Sequence, residues 1–322
     1  MTISFQKRKD IAMTMNAHSF YIMEQKIIRL LNREGPLTGQ ELLNALHENE
    51  FLLWRTCKAS NRIVVQTLGT RYLRLDRRIQ GYARLSPSIL REFLTYSVIG
   101  LPDNPLSLNR KADDVLQHIE TISTSKSNLA YSVISSLADL FQEDALMEHT
   151  CFILAGDIVY NMAHDAPRPE RSTGKMVNGS DMDIIVIVDD ELPTTQMKRL
   201  DEAIYQEKYR LLIAPHLREE IDYVVKDLKR VRDQVRFDTF KHMVACKILH
   251  EGTRLYGSEA IFHQIKTILK ETGVDQKLSE MEARSLVFRE KAEETLLHED
   301  PDLIKAGFLG LFFPSEESEE FE

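Results

Sequence analysis

Hydrophobic residues first recur at helical spacing in "YIMEQKIIRLLNREG". Ile22, Ile27, Ile28, Leu30 and Leu31 form one apolar stripe there, and Gly35-Pro36 ends it. In "LTGQELLNAL", Thr38 followed by Glu41 has capping-box spacing, so a second helix starts at that point. A third helix is predicted over "EFLLWRTCKAS". The pattern then changes to short β-branched runs in "RIVVQTLGTRYLRLDR", which reads as two strands around the Leu68-Gly69-Thr70 turn.

A break follows at "GLPDNPLSLN", rich in Pro, Asn, Asp and Ser. Two helical segments, "KADDVLQHIETI" and "KSNLAYSVISSLADLF", lead into the strand "CFILAGD". A long polar loop from Asn161 to Asn178 joins it to the apolar strand "DIIVIV". The helix "TTQMKRLDEAIYQEKYRLLI" precedes the strand "EIDYVV", and the remainder reads as helical as far as "GFLGLFF". No internal repeat is visible. The predicted class is α/β (α+β), with a helical C-terminal part.

The chain has 322 residues, of which 43% are hydrophobic, enough for two or three packed units. Its net charge of −9 is unevenly spread. From Phe51 to Arg84 the cations are Arg55, Lys58, Arg62, Arg71, Arg74, Arg77, Arg78 and Arg84, against the single anion Asp76. The C-terminus carries Glu316, Glu317, Glu319, Glu320 and Glu322 and reads as a disordered acidic tail. Such asymmetry points to a local contact with something anionic.

Cys57, Cys151 and Cys246 are far apart with no Cys-x-x-Cys pair, which suggests reduced thiols and argues against zinc. Lys7, Arg8 and Lys9 are not followed by an apolar run, so no secretory signal is expected. No stretch approaches the ~18 apolar residues of a membrane span. The expected setting is soluble and cytoplasmic.

Three short helices followed by a basic hairpin resemble a winged helix-turn-helix domain over roughly the first quarter of the chain. The resemblance implies a domain over residues 1–100, with the third helix in a nucleic-acid groove and Arg71, Arg74, Arg77 and Arg78 on phosphates. The plainer alternative is a packing or dimerisation module whose arginines form a solvated face.

The segment "NGSDMDIIVIVDD" holds the chemistry. Side chains two apart in a strand point the same way, so Asp181 and Asp183 project together, and without a cation their carboxylates repel. An EF-hand loop does not fit, because Ile185 and Val186 stand where a ligand and a glycine are needed. A Walker loop does not fit Gly174-Lys175, because Met176 replaces the Ser or Thr. The bland reading makes both aspartates turn residues ahead of a buried strand.

The order of a strand ending at Gly156, Gly179-Ser180-Asp181-Met182-Asp183 entering a second strand, a helix, and a strand carrying Asp222 resembles the DNA polymerase beta superfamily of nucleotidyltransferases. The resemblance covers roughly Thr150 to Gly257, including "ILHEGTRLYG". It implies a core over residues 106–257 built on a mixed sheet and leaves 258–322 as a helical C-terminal segment. It further implies two magnesium ions on Asp181, Asp183 and Asp222, with Asp222 serving the attacking hydroxyl. Gly156, Asp157, Gly179 and Ser180 would line a nucleoside triphosphate such as ATP. Asp157 departs from the family pattern of small residues after the first strand. Arg168, Arg171 and Lys175 on the long loop are candidates for the phosphate contacts.

The expected function is transfer of a nucleoside monophosphate to an acceptor hydroxyl, with release of pyrophosphate. RNA, especially a tRNA end, or DNA is the first candidate acceptor; a protein hydroxyl or a small molecule remains open. The alternative is a nucleic-acid-binding regulator whose core senses nucleotide without turning it over.

Overall fold

The computed structural model describes residues 17–141, 146–170, 172–300 and 303–312. Arg171 and the acidic C-terminal tail lie outside the described residues. The chain is of mixed α/β class and divides into two compact units. One unit takes residues up to 74, residues 83–118 and the described residues from 282 onward; the other takes residues 75–82 and the described residues of 119–281.

The first unit begins with α1 (Ala17–Glu34), β1 (Leu37–Thr38), α2 (Gly39–Leu46), α3 (Glu50–Ala59) and β2 (Val64–Thr67). The α1 stripe is buried at Ile27, Ile28, Leu30 and Leu31. Thr38 caps α2: its hydroxyl accepts from the Glu41 N–H, and the Glu41 carboxylate accepts from the Thr38 N–H at 2.7 Å. Asn49 caps α3 by accepting from the Leu52 N–H.

The predicted hairpin after α3 does not form. β3 (Tyr72–Leu75) pairs with β4 (Ala83–Ser86), whereas β2 pairs antiparallel with β5 (Ser97–Gly100), which follows α4 (Ile89–Thr95). β1 joins the other edge of β5, giving the sheet order β1-β5-β2. The Leu68 N–H bonds to the Tyr96 carbonyl, so the chain leaving β2 is held by a segment distant in sequence and not by its local turn.

α3 is an inner helix. Phe51, Leu53, Trp54, Arg55, Thr56, Cys57 and Ala59 are all buried, and the Phe312 ring packs on Phe51 and Trp54. The Arg55 guanidinium donates to the carbonyls of Leu297 and Glu299 at 3.0 and 2.7 Å. Re-exposing Phe51, Leu53 and Trp54 would cost on the order of 5 kcal/mol or more. Seven of the ten residues of this helix are thus turned into the protein, and only Glu50, Leu52 and Lys58 are half-buried, which leaves little of it for a nucleic-acid groove.

The second unit is built on the four-stranded sheet β10-β9-β6-β11, with β6 (Thr150–Ala155), β9 (Met182–Val188), β10 (Ile221–Asp227) and β11 (Thr253–Gly257). β10 runs parallel to β9, and β6 runs antiparallel to both β9 and β11, so the sheet is mixed. β11 is a strand inside a region expected to be helical; its register places it on the free edge of β6.

Met182, Ile184, Val186 and Val188 pack into one core with Leu200, Ile204 and Leu211 of α6 (Thr194–Ile213) and with residues of α5 (Pro105–Asp139). The alternate residues Ile185 and Ile187 are buried on the opposite face. There α8 (Phe240–Glu251) and α9 (Glu259–Glu271) pack on β6, after the short α7 (Leu228–Gln234). A strand buried on both faces reads as a continuous apolar run, as β9 does. α10 (Val274–His298) contributes residues to both units.

Two expected helices merge into the 35-residue α5. Its polar seam is satisfied by tertiary partners. Ser123 Oγ accepts from the Ala163 N–H at 3.1 Å, and the buried Lys126 ammonium donates to the Asn178 carbonyl and to Glu219 Oε2. The expected polar loop from Asn161 to Asn178 contains a small hairpin, β7 (Pro167–Pro169) with β8 (Met176–Asn178).

Candidate metal centre

The parallel pairing of β10 with β9 sets Asp222 opposite Asp183. Since the side-chain period in a strand is two residues, the two carboxylates share a face, and Asp181 at the entry to β9 joins them. One carboxylate oxygen from each of Asp181, Asp183 and Asp222 lies within 4.8 Å of the other two, and all three residues are half-buried. β6 ends beside them, with Ala155 in register with Asp183.

Two glycines make the close approach. Gly156 has φ +72°, and a Cβ there would fall 1.9 Å from Asp183 Oδ2. Gly179 has φ +67°, and a Cβ there would fall 1.8 Å from the His164 carbonyl oxygen. The chain can therefore turn into β9 only by pressing its backbone on the strand-end loop. Ser180 closes this corner: its N–H donates to the His164 carbonyl at 2.9 Å, its Oγ accepts from the His164 N–H at 3.2 Å and donates to Asp157 Oδ2 at 3.0 Å. Asp157, in the turn after β6, is thus engaged by Ser180.

Arg168 of β7 reaches the acidic group. Its Nε donates to the Gly179 carbonyl at 2.7 Å, and its Nη2 lies 2.9 Å from Glu220 Oε2 and 3.5 Å from Asp181 Oδ2. Glu220 precedes Asp222 by two residues, the same spacing as Asp181 and Asp183, so the period that marked the aspartate pair also marked this carboxylate. Burial and then the neighbouring Asp181 push the Glu220 carboxyl above its ordinary range, against the pull of Arg168.

A second set backs the Gly156 turn. The Gly156 N–H donates to Glu251 Oε1 at 3.3 Å, the Tyr160 hydroxyl donates to Glu251 Oε2 at 2.7 Å, and Lys247 Nζ lies 2.7 Å from the same oxygen. Lys247 and Glu251 are an i,i+4 pair at the end of α8, a spacing visible in the sequence. Lys266 holds that helix end from α9, its ammonium donating to the carbonyls of Leu249, His250 and Gly252 at 2.6 to 2.8 Å.

Other expected site residues have separate surroundings. Lys175 is exposed, with its Nζ 5.9 Å from the centroid of the Tyr209 ring. Lys208 was not anticipated; its Nζ is 3.8 Å from Asp222 Oδ1. In the first unit Arg71 donates from Nε and Nη2 to Glu92 at 2.6 and 2.7 Å and from Nη2 to Glu293 at 3.2 Å. Arg289 lies 3.0 Å from the same Glu92 and 2.6 Å from Glu293, so Arg71 belongs to a partly buried ion network and is not a free phosphate ligand. Arg78 donates to Asp76 at 3.0 Å from Nε and 3.1 Å from Nη2. The Arg77 guanidinium lies 5.0 Å from the Phe240 ring centroid, and Arg74 is half-buried in β3.

The donor set suits a hard divalent cation. Magnesium binds oxygen at about 2.0–2.1 Å, so ligand oxygens on one ion stand no more than about 4.2 Å apart, and the three aspartate oxygens lie within 4.8 Å of one another. The missing Cβ at Gly156 leaves room for the Asp183 carboxylate. The three cysteines are buried and free, and burial pushes the Cys151 and Cys246 thiols up to about 12. No described helix is long and apolar enough to cross a membrane. Compared with protein-family models, with curated proteins and with solved structures, the chain matches none.

Proposed function

We propose that the second unit is a magnesium-dependent nucleotidyltransferase that moves a nucleoside monophosphate from a nucleoside triphosphate to an acceptor hydroxyl and releases pyrophosphate. The observation that carries this reading is the convergence of Asp181, Asp183 and Asp222 within 4.8 Å at the ends of two parallel strands. Two divalent cations, when bound, neutralise the attacking and leaving oxygens of an in-line displacement at phosphorus. Asp181, Asp183 and Asp222 would hold the ions, and Asp222 would accept the proton of the acceptor hydroxyl. Gly156 leaves room for the Asp183 carboxylate, Gly179 leaves room for the His164 carbonyl, and Glu251 accepts from the Gly156 N–H.

One observation favours a sensing role without turnover. Arg168 is a fixed cation within 3.5 Å of Asp181, and it supplies charge that a second metal would otherwise bring. Release of labelled pyrophosphate from each of the four triphosphates, with magnesium and with EDTA, decides between the two. Magnesium-dependent release that is lost in Asp183→Asn is the expected result. Binding of triphosphate without release from any of the four would leave the sensing role.

The strand order β1-β5-β2 with three helices ahead of β2 supports a winged-helix reading of the first unit. With α3 covered and Arg71 ion-paired, its role in this proposal is packing and interaction, not groove reading.

A further inference from the structure

The C-terminal half of α6 leaves large rings open to solvent. Tyr205, Tyr209 and Ile213 stand at i, i+4 and i+8 and are 55%, 48% and 43% exposed. Met176, next to Lys175 in the hairpin, is 48% exposed. In the second unit the other large hydrophobics exposed among the described residues are Tyr82, Tyr131 and Leu140, so more than half of such exposure gathers around α6 and the hairpin. Cations accompany the rings. Lys175 Nζ lies 5.9 Å from the Tyr209 centroid, and Lys208 Nζ lies 6.0 Å from the Tyr223 centroid and 3.8 Å from Asp222 Oδ1. The Tyr223 hydroxyl donates to the Asp201 carbonyl at 3.1 Å, which ties that ring to α6.

We infer that this strip seats a single-stranded nucleic acid whose terminal hydroxyl is the acceptor that meets Asp222. The inference rests on the transferase reading above and names its acceptor class. Exposed aromatic faces take bases of any sequence, and interleaved cations take the phosphates between them. Tyr205 and Tyr209 are one helical turn apart, about 6 Å along the axis, so each can stack a separate base of one strand. A lone nucleotide needs only one ring. Lys208 connects the strip to the aspartate cluster, and Glu207, the carboxylate beside it, is engaged by Arg210 at 2.7 Å. Asp201 and Glu202, one turn before Tyr205, bound the strip with negative charge.

Fluorescence anisotropy of a labelled 12-nucleotide oligouridylate with the full chain in EDTA tests this. Wild type is expected to bind the oligomer in a salt-sensitive manner. Tyr205→Ala with Tyr209→Ala is expected to weaken binding about thirtyfold or more, while Phe at both positions keeps it. Lys175→Ala with Lys208→Ala is expected to flatten the slope of log affinity against log salt by about 1.4. Because these side chains are exposed, the melting temperature of each variant is the check on folding. Absence of salt-sensitive binding by wild type, undiminished binding by the double alanine variant, or uridine monophosphate binding as tightly as the oligomer would each overturn the inference. Turnover is suppressed in EDTA, so failure here and failure of pyrophosphate release are separate results.

Discussion

Gly156 leaves the Asp183 carboxylate the space that any other residue would fill, since a Cβ there would lie 1.9 Å from Oδ2. The same residue has φ +72° and gives its N–H to Glu251. Gly156→Ala therefore carries two costs: left-handed strain of about 1–2 kcal/mol and displacement of Asp183. The expected outcome is a melting temperature lower by a few degrees together with loss of the rise that manganese or magnesium produces. A variant that keeps the full cation-dependent rise would show that Asp183 does not depend on this space.

The aspartate cluster predicts a thermal signature independent of catalysis. A cation at about 100 times its Kd stabilises a folded state by about 2.7 kcal/mol. Wild type should gain such stability on titration with manganese, and Asp183→Asn should not. In EDTA the variant should melt no lower than wild type, because removing one of three neighbouring negative charges relieves repulsion. Equal manganese-induced gains in the two proteins would remove Asp183 from the metal centre.

Glu92 joins Arg71 and Arg289 in the first unit, and both Glu92 and Arg289 side chains are only 5% exposed. Truncating one partner leaves a buried charge uncompensated, which typically costs about 3–5 kcal/mol. Glu92→Ala should lose stability of that order in urea unfolding. Arg71→Glu should also lower stability, since it sets three carboxylates together; an unchanged urea midpoint in Arg71→Glu would return Arg71 to the solvated surface.

Lys226 is buried in β10, with Gln234 Oε1 at 2.7 Å, and burial followed by the Arg230 charge pushes its pKa down to about 8. Its unfolded value lies near 10.5. Between these values the unfolded chain holds the extra proton, so the lysine's contribution to stability improves as pH rises from about 8 to about 10.5. The stability of wild type minus that of Lys226→Met should therefore increase across this window. Urea unfolding at pH 7, 8, 9 and 10 measures it, and parallel profiles for the two proteins would refute the assignment.

Local signals carried much of the architecture. The α1 stripe, the Thr38–Glu41 cap, the full span of α6 and the apolar β9 follow from periodicity and capping, which act within a few residues. The period of two residues likewise places Asp181 beside Asp183 and Glu220 beside Asp222. These features need no distant partner, so the chain itself determines them.

The tertiary structure decided what depends on distant partners. β2 pairs with β5 across some thirty intervening residues instead of with β3 across its own turn, and no local pattern announces that choice. α5 runs unbroken through Ser123 and Lys126, whose polar groups find partners at Ala163, Asn178 and Glu219. The cationic run from Phe51 to Arg84 suggested an anionic partner outside the chain, yet Arg71 finds Glu92 and Glu293 within it. α3 has the length and position of an exposed helix and is buried because Leu296, Leu297 and Phe312, far along the chain, complete its core. Periodicity records which face of an element is apolar; which element covers that face, and which charge meets which, is set by contacts between residues far apart in sequence.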